Sequence, residues 1–403
     1  MSLVTKNCAG CDSYSFTRIL DLGDVPLADA FPLVPGWSQR RFPLGLEICD
    51  VCNLIRQIGD VPGDLLFGSD YAFFTGSSPA LVKHFSEYAT WVHQKFPDEV
   101  EQGVLEIACN DGTLLQHFQN VMHVGIDPAG PPTTVARRKG LHVKTEPFTT
   151  ATASKLFNFG VVIANNVLAH VEDPMDFLTG IERVLSPNGV VIIEFQSALA
   201  LVMDAAFDMV YHEHRHHFTL RTLKQMANSV GFAVQDARQV DTQGGSIRVV
   251  LKRQEETSAI TARARYLLIQ EDRMTATSEL LLSLQERVRY QATAIGRLVM
   301  NELAQGRRVF GYGASAKATQ ILHYCGLTDA EVEAVVDTTA YKIGRYMPGT
   351  AIPVIGPDDD PAIFTKTYLL LVRNYLSAVV RREARKLDVG VRFIVPAPHP
   401  FII

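Results

Sequence analysis

The stretch "VLEIACNDGTLL", residues 104–115, decides the fold. Its first residues suit a short buried strand. Asn110, Asp111 and Gly112 then form a turn before an apolar run that predicts a helix. Strand, tight turn and helix in that order make the place where open α/β sheets hold ligands. The next strand, "MHVGID" (122–127), ends on Asp127, 21 residues after Glu106. An acidic side chain there can accept both ribose hydroxyls of an adenosine. A dinucleotide fingerprint requires G-x-G-x-x-G, and this turn has Gly112 alone. Ala108 and Cys109 also hinder the close backbone approach that a pyrophosphate needs. A cofactor without phosphate, S-adenosylmethionine, fits the turn better.

Outward from this turn, "FGVVIANNVL" (159–168) and "GVVIIEF" (189–195) read as further strands. "FAVQDARQV" and "GSIRVVLKR" alternate with period two and read as a closing antiparallel pair. Residues 71–253 therefore predict a doubly wound parallel sheet with an antiparallel edge, and the closing hairpin favours the methyltransferase kind. Within it, "SSPALVKHFSEYATWVHQKF" (77–96) has helical spacing and a serine cap. Residues 254–306 predict a helical connector. In 307–403, "RRVFGYGASAKATQIL" is a strand, a glycine turn and a helix, and "VEAVVDTT", "TYLLLVRN" and "RFIVP" add strands of a second α/β domain.

Residues 1–70 are rich in Pro and Gly and carry two C-x-x-C hooks, Cys8 with Cys11 and Cys49 with Cys52. The opening residues "MSLVTKNCAG" lack the apolar stretch of a signal peptide, so the hooks are expected to form a structural Zn²⁺ site of four thiolates rather than disulfides. A chain of 403 residues with 47% hydrophobic and 20% charged residues is expected to be globular, with two or three domains. A net charge of −5 and the absence of a basic, aromatic stripe speak against a zinc-hook module for nucleic acid. No apolar run reaches membrane-spanning length, so a cytoplasmic location is expected. The long helices leave monomer and dimer both open.

"YHEHRHHFTL" (211–220) packs four histidines into ten positions and contains H-E-x-x-H. A zinc protease needs that motif on one continuous helix. Here the apolar period begins only after Thr219, which caps "LRTLKQMANSVG". The run therefore reads as a proton-transfer site rather than a metal site.

"VLEIACNDGTLL", "GIDPAG", "VIANNVLAHVEDP", "EFQ" and "YHEHRHHFTL", in this order, resemble the S-adenosylmethionine-dependent sugar C-methyltransferases, the C-3 methyltransferases of deoxysugar pathways in antibiotic biosynthesis. The hooks resemble that family's zinc-binding domain, and "GYGASAKATQILHYCGL" with "VVDTTAYKIGRYMPGTAIPV" resembles its C-terminal domain. The resemblance implies a class I methyltransferase-like Rossmann domain between a small zinc-binding domain and a C-terminal Rossmann-like α/β domain. It also implies cofactor contacts from Glu106, Asn110, Asp111, Gly112, Asp127, Asn165 and Asn166. His170, Tyr211, Glu213 and His214 match the family's active-site positions, and Tyr71 is a further candidate. The chain departs from the usual pattern at Phe73, at Ala108 and Cys109, at Arg215, His216 and His217, and at Arg373.

Methylating carbon needs a carbon nucleophile, most easily an enolate formed by removing a proton α to a ketone. His214 is the candidate base, because an imidazole is poised near neutral pH. Tyr211 and Tyr71 are placed to donate to the enolate oxygen, and Glu213 to orient a partner or accept a sugar hydroxyl. In "GYGASAK", Ser315 and Lys317 at a helix start suit the diphosphate of a sugar nucleotide, with Arg345 and Asn374 as further contacts. The expected reaction is C-methylation of a nucleotide-linked 4-keto deoxysugar. A non-sugar keto substrate and a nucleotide-dependent oxidoreductase, which would bind nicotinamide, stand as alternatives.

Overall fold

The structure is a computed structural model that describes residues 7–59, 61–66, 73–256, 259–363 and 365–403. Tyr71 lies outside the described residues. Alternation of buried and exposed side chains sets the first strands: β1 (Phe16–Pro26), β2 (Arg41–Cys49) and β3 (Ile55–Gln57) form an antiparallel meander. The hooks sit at its end, with Cys49 closing β2 and Cys52 in the β2–β3 turn.

Ser78 then caps a helix over Pro79–Lys95, and its hydroxyl accepts from the Leu81 amide at 3.4 Å. Next come β4 (Val104–Ile107), β5 (His123–Ile126), β6 (Val143–Lys144), β7 (Phe159–Asn165) and β8 (Leu185–Gln196). All five are parallel, and β4 and β7 are buried throughout, as a sheet covered on both faces requires. Strand β9 (His216–His217) returns to the first sheet and pairs with β3, Ile55 opposite His217 and Arg56 opposite His216. β10 (Phe232–Val240) and β11 (Ser246–Arg253) close the central sheet as an antiparallel pair. Its order is β10-β11-β8-β7-β4-β5-β6, with the order reversing at β4. Ligands bind outside the carboxyl ends of the strands at such a reversal.

The last sheet is built from β12 (Arg308–Tyr312), β13 (Val335–Val336), β14 (Val354–Ile355), β15 (Lys366–Leu370), β16 (Arg392–Val395) and β17 (Phe401–Ile402), ordered β14-β13-β12-β15-β16-β17. A helix over Leu284–Ala304 precedes it. The buried side of that helix (Val288, Ile295, Val299) shares one apolar core with β1, β2, residues 198–210 and the last sheet. Among the described residues, no helix is long and apolar enough to cross a membrane.

One local expectation fails. The segment after Gly112 forms a short 3₁₀ turn, Leu115–Phe118, rather than a helix. Leu114 and Phe118 pack into one apolar cluster while Leu115 enters another. A regular helix would present one stripe to one core, and here neighbouring leucines must serve two.

Candidate active site

The cofactor turn leaves β4 with Ala108, Asn110 and Gly112 all left-handed, at φ 58°, 50° and 72°. At Gly112 the left-handed backbone and close packing both disfavour a side chain: an added Cβ would lie 2.2 Å from Leu141 Cδ1 and 3.3 Å from Ala136 Cβ. Cys109 turns its thiol under β5, where a Cβ on Gly125 would stand 2.6 Å from Sγ. The replacement of the usual small residue by Cys109 is thus absorbed by the core, not by the cleft. Asp127 braces the turn from β5, accepting from the Asn110 amide at 2.9 Å and the Ala129 amide at 2.8 Å. Glu106 is buried beneath the turn, and burial first, then the charges of Asp127 and Asp111, push its carboxyl well above the ordinary range.

Asn110 and Asp111 also hold a distant segment in place. Asn110 accepts from the Thr75 amide at 2.9 Å and donates to the Phe73 carbonyl at 3.1 Å. Asp111 accepts from the Gly76 amide at 2.9 Å. These bonds tie residues 73–76 across the turn as a strap. A Cβ on Gly76 would stand 2.7 Å from Asp111 Oδ2 and 3.0 Å from Thr113 Oγ1, so the strap needs glycine there. Gly76→Ala is expected to weaken S-adenosylmethionine binding about tenfold, the worth of one or two displaced hydrogen bonds. Calorimetric titration with the cofactor checks it, and an unchanged dissociation constant would remove the strap from the binding site.

The residues fit S-adenosylmethionine. Both amide atoms of Asn165, at the carboxyl end of β7, are buried without a partner, and so is Gln196 Oε1 at the end of β8. Asn166 is left-handed at φ 52° and its amide is spent on the Glu194 carbonyl at 2.7 Å. Orphaned amide groups at the sheet's reversal point, beside a carboxylate on the next strand, suit an adenosine and its amino-acid tail.

Beyond β8 the chain doubles back through the short helical turn Phe207–Met209 and brings the histidine run to the same edge. A carbonyl only accepts, so the His214 Nδ1–H donates to the Met209 carbonyl at 3.0 Å. This leaves the Nε2 lone pair to accept from the Tyr211 hydroxyl at 2.7 Å. The His170 ring centre lies 4.9 Å from that of His214, and its Nδ1–H donates to the Glu213 carbonyl at 2.8 Å. Burial first, then neighbouring His170 and His217, hold His214 well below the ordinary histidine range. Burial likewise lowers His170 to about 4. Both rings are neutral at pH 7, as a base must be.

Glu213 takes the opposite sense. Burial first, then the charge of Asp29, raises it to about 8, and its Oε2 is buried without a hydrogen-bond partner. It is therefore a neutral acid at pH 7, able to donate. Glu213→Gln keeps a neutral donor and is expected to retain activity at pH 7 within roughly a factor of three. Wild-type activity should change as pH rises through about 8, where the carboxyl ionises, and the variant should lack that limb. A pH profile of both proteins tests this, and identical alkaline limbs would reject it.

Of the expected substrate contacts, Lys317 reaches the junction of the two α/β sheets, its Nζ 3.3 Å from Gln243 Oε1. Burial first lowers it to about 8, and its charge is among those that depress His214. Ser315 donates to the Leu371 carbonyl at 3.0 Å, tying the helix over Ala316–Tyr324 to the end of β15. Asn374 has both amide atoms buried and unpartnered. Arg345 bonds the carbonyls of Tyr341 at 2.8 Å and Phe31 at 3.2 Å, and none of its contacts belongs to the His214 group. Sequence reasoning missed Met209, whose carbonyl fixes the His214 tautomer, and the buried pair of Asp208 with Arg373 at 2.9 Å. Neither is signalled by a local motif.

The histidine run is not a protease helix. Its end is strand β9, and Thr219 caps a separate helix over Leu220–Ser229.

This sheet order, with its cofactor turn and its closing antiparallel pair, defines a class I methyltransferase. Residues 82–237 match a family model described as a methyltransferase domain, and residues 241–398 match one described as a C-methyltransferase C-terminal domain. The C-methyltransferase NovU of Streptomyces niveus is 28% identical over 408 residues, 98% of this chain and 96% of NovU. The chain is an S-adenosylmethionine-dependent C-methyltransferase. Two similar solved structures each cover less than half of the chain. An S-adenosylmethionine-dependent methyltransferase from Clostridium acetobutylicum covers 42% of this chain and 92% of its own, at 12% identity and TM-score 0.36. Magnesium protoporphyrin IX methyltransferase from Synechocystis covers 43% and 79%, at 13% identity and TM-score 0.34.

Proposed function

We propose that the protein methylates carbon of a nucleotide-linked 4-keto deoxysugar, at the carbon next to the ketone. The observation that carries this is the hydrogen-bonded chain Met209 carbonyl, His214, Tyr211 at the carboxyl edge of the cofactor sheet, with Lys317 at the start of the helix after β12 held at Gln243 in the turn between β10 and β11. Bound S-adenosylmethionine supplies an electrophilic methyl group. The residues supply the rest. In the resting site the Tyr211 hydroxyl occupies His214 Nε2. When Tyr211 turns its hydroxyl to the substrate's ketone oxygen, it frees Nε2 to take the α-proton. The C–H electron pair passes into the enolate, whose oxygen the Tyr211 O–H stabilises and whose carbon then bonds to the methyl group. Lys317, at the start of its helix, holds the diphosphate. NovU, described as a C-methyltransferase, supports the carbon acceptor.

The same proposal includes a structural Zn²⁺. The four Sγ atoms of Cys8, Cys11, Cys49 and Cys52 all lie within 4.8 Å of one another. The Cys8–Cys52 and Cys11–Cys49 separations are 3.4 and 3.6 Å, far beyond a disulfide bond. Tetrahedral thiolates about 2.3 Å from zinc stand about 3.8 Å apart, so the cage fits.

Incubation with ¹³C-methyl S-adenosylmethionine and a panel of 4-keto sugar nucleotides, read by NMR, tests the reading. A carbon-bound methyl next to the ketone is expected. Turnover of a non-sugar ketone with no labelled sugar across the panel would overturn it.

A further inference from the structure

The turn between β10 and β11 reaches across to the last sheet. It is left-handed at Gln243, Gly244 and Gly245, at φ 50°, 81° and 111°. Thr242 donates to Glu194 Oε1 at 3.1 Å, anchoring the turn to β8. At Gly244 the C-terminal residues come close: an added Cβ would stand 3.3 Å from Asn374 Oδ1 and 3.6 Å from Arg373 Nη2. Arg373 Nε donates to Asp208 Oδ2 at 2.9 Å, with the two side chains 8% and 3% exposed.

Four polar atoms here are left over by the fold's own hydrogen bonding. Arg373 Nη2, Asn374 Nδ2, Asn374 Oδ1 and Asp208 Oδ1 are all buried, and none has a hydrogen-bond partner. Native proteins leave few such groups unpaired, and several together mark a place where something else supplies the partners. Their character says what. Two are donors and two are acceptors. The guanidinium is already neutralised by Asp208, so the group offers no net charge for an anion. Lys317 differs: it has no carboxylate within ion-pair distance among the described residues, its contact being Gln243. The anion therefore goes to Lys317.

We infer that Arg373, Asn374 and Asp208 form a specificity subsite for a neutral substrate group that carries both a hydrogen-bond donor and an acceptor. Ring hydroxyls of the hexose and the imide edge of a pyrimidine base both have that chemistry. The inference rests on the sugar-nucleotide reading above. A rival account exists, because Asp208 precedes Met209, whose carbonyl orients His214. In that account Arg373 only positions the base.

The test uses two changes in the full-length enzyme. Arg373→Gln combined with Asp208→Asn removes both charges together and leaves no lone buried ion. Asn374→Ala alone spares the ion pair, and so remains informative if the double variant folds poorly. Dissociation constants are measured for 4-keto sugar nucleotides and for thymidine and uridine diphosphates, with kcat and KM for turnover. Each change is expected to raise KM and Kd for the sugar nucleotide roughly 5- to 30-fold, while kcat stays within about threefold and cofactor affinity is unchanged. An equal loss for the nucleoside diphosphates assigns the group to the base or its ribose. A loss confined to the sugar nucleotide assigns it to the hexose. A fall in kcat with KM and Kd unchanged overturns the subsite in favour of positioning. No change in either means that water meets these atoms, which also overturns it. If the wild type binds no sugar nucleotide at all, the substrate reading itself fails and takes the inference with it.

Discussion

His214→Gln is expected to lower methyl transfer by about a thousandfold, within the range that a positioned general base contributes. Glutamine fills similar space but has no lone pair of imidazole basicity at the Nε2 position. S-adenosylmethionine binding should be unaffected, because the cofactor turn is built by other residues, with Asp127 bracing the Asn110 amide. The pH dependence follows from the direction of the shift. His214 is held well below its ordinary value of 6.5, so its ring is neutral throughout the neutral range. Protonation, and with it the acid limb of kcat/KM, belongs below pH 6.5. A variant that methylated at the wild-type rate would remove His214 from catalysis. So would a wild-type acid limb centred above pH 7.

The second large effect concerns the cysteine cage. Cys52→Ala is expected to cost several kcal/mol, because metal binding by such small domains is largely folding free energy. The damage should not stay local. Cys49 and Cys52 flank the turn into β3, and β3 pairs with β9 through Ile55–His217 and Arg56–His216. β9 begins two residues after His214, so loss of the metal should loosen the segment that carries the base. The expected result is one equivalent of zinc in the wild type, and none in the variant, with a lowered melting temperature and at least a tenfold loss of activity, since misplacement by about 1 Å can cost a hundredfold. Metal-free protein with full activity and an unchanged melting temperature would contradict this coupling.

What could be read from sequence was local in sequence. The cofactor turn declares itself because its strand, its turn residues and Asp127 lie within one βαβ-like unit. The cage declares itself because each hook is a C-x-x-C. The histidine run was separated from a protease helix by the place of Thr219, a capping residue at a fixed offset. Periodicity predicts a regular helix where the 3₁₀ turn Leu115–Phe118 forms, because it cannot tell that Leu114 and Leu115 enter different cores. Other features were hidden because their partners are distant in sequence. Asp208 and Arg373 are 165 positions apart, and the pairing of β3 with β9 joins the two ends of a segment that contributes the five parallel strands of the central sheet in between. Asn110 and Asp111 were legible as cofactor-turn residues, but not as the anchors of a strap formed by residues 73–76.

The claim at the centre is that Tyr211 and His214 make a carbon nucleophile next to a ketone before any methyl group moves. Solvent exchange tests it without transfer. Wild-type protein loaded with S-adenosylhomocysteine, which has no methyl to give, is incubated with a 4-keto sugar nucleotide in D₂O and followed by NMR. Enzyme-dependent deuterium incorporation at the carbon next to the ketone is expected, lost in His214→Gln and reduced in Tyr211→Phe. No incorporation above the rate without enzyme, or an equal rate in His214→Gln, would contradict the account.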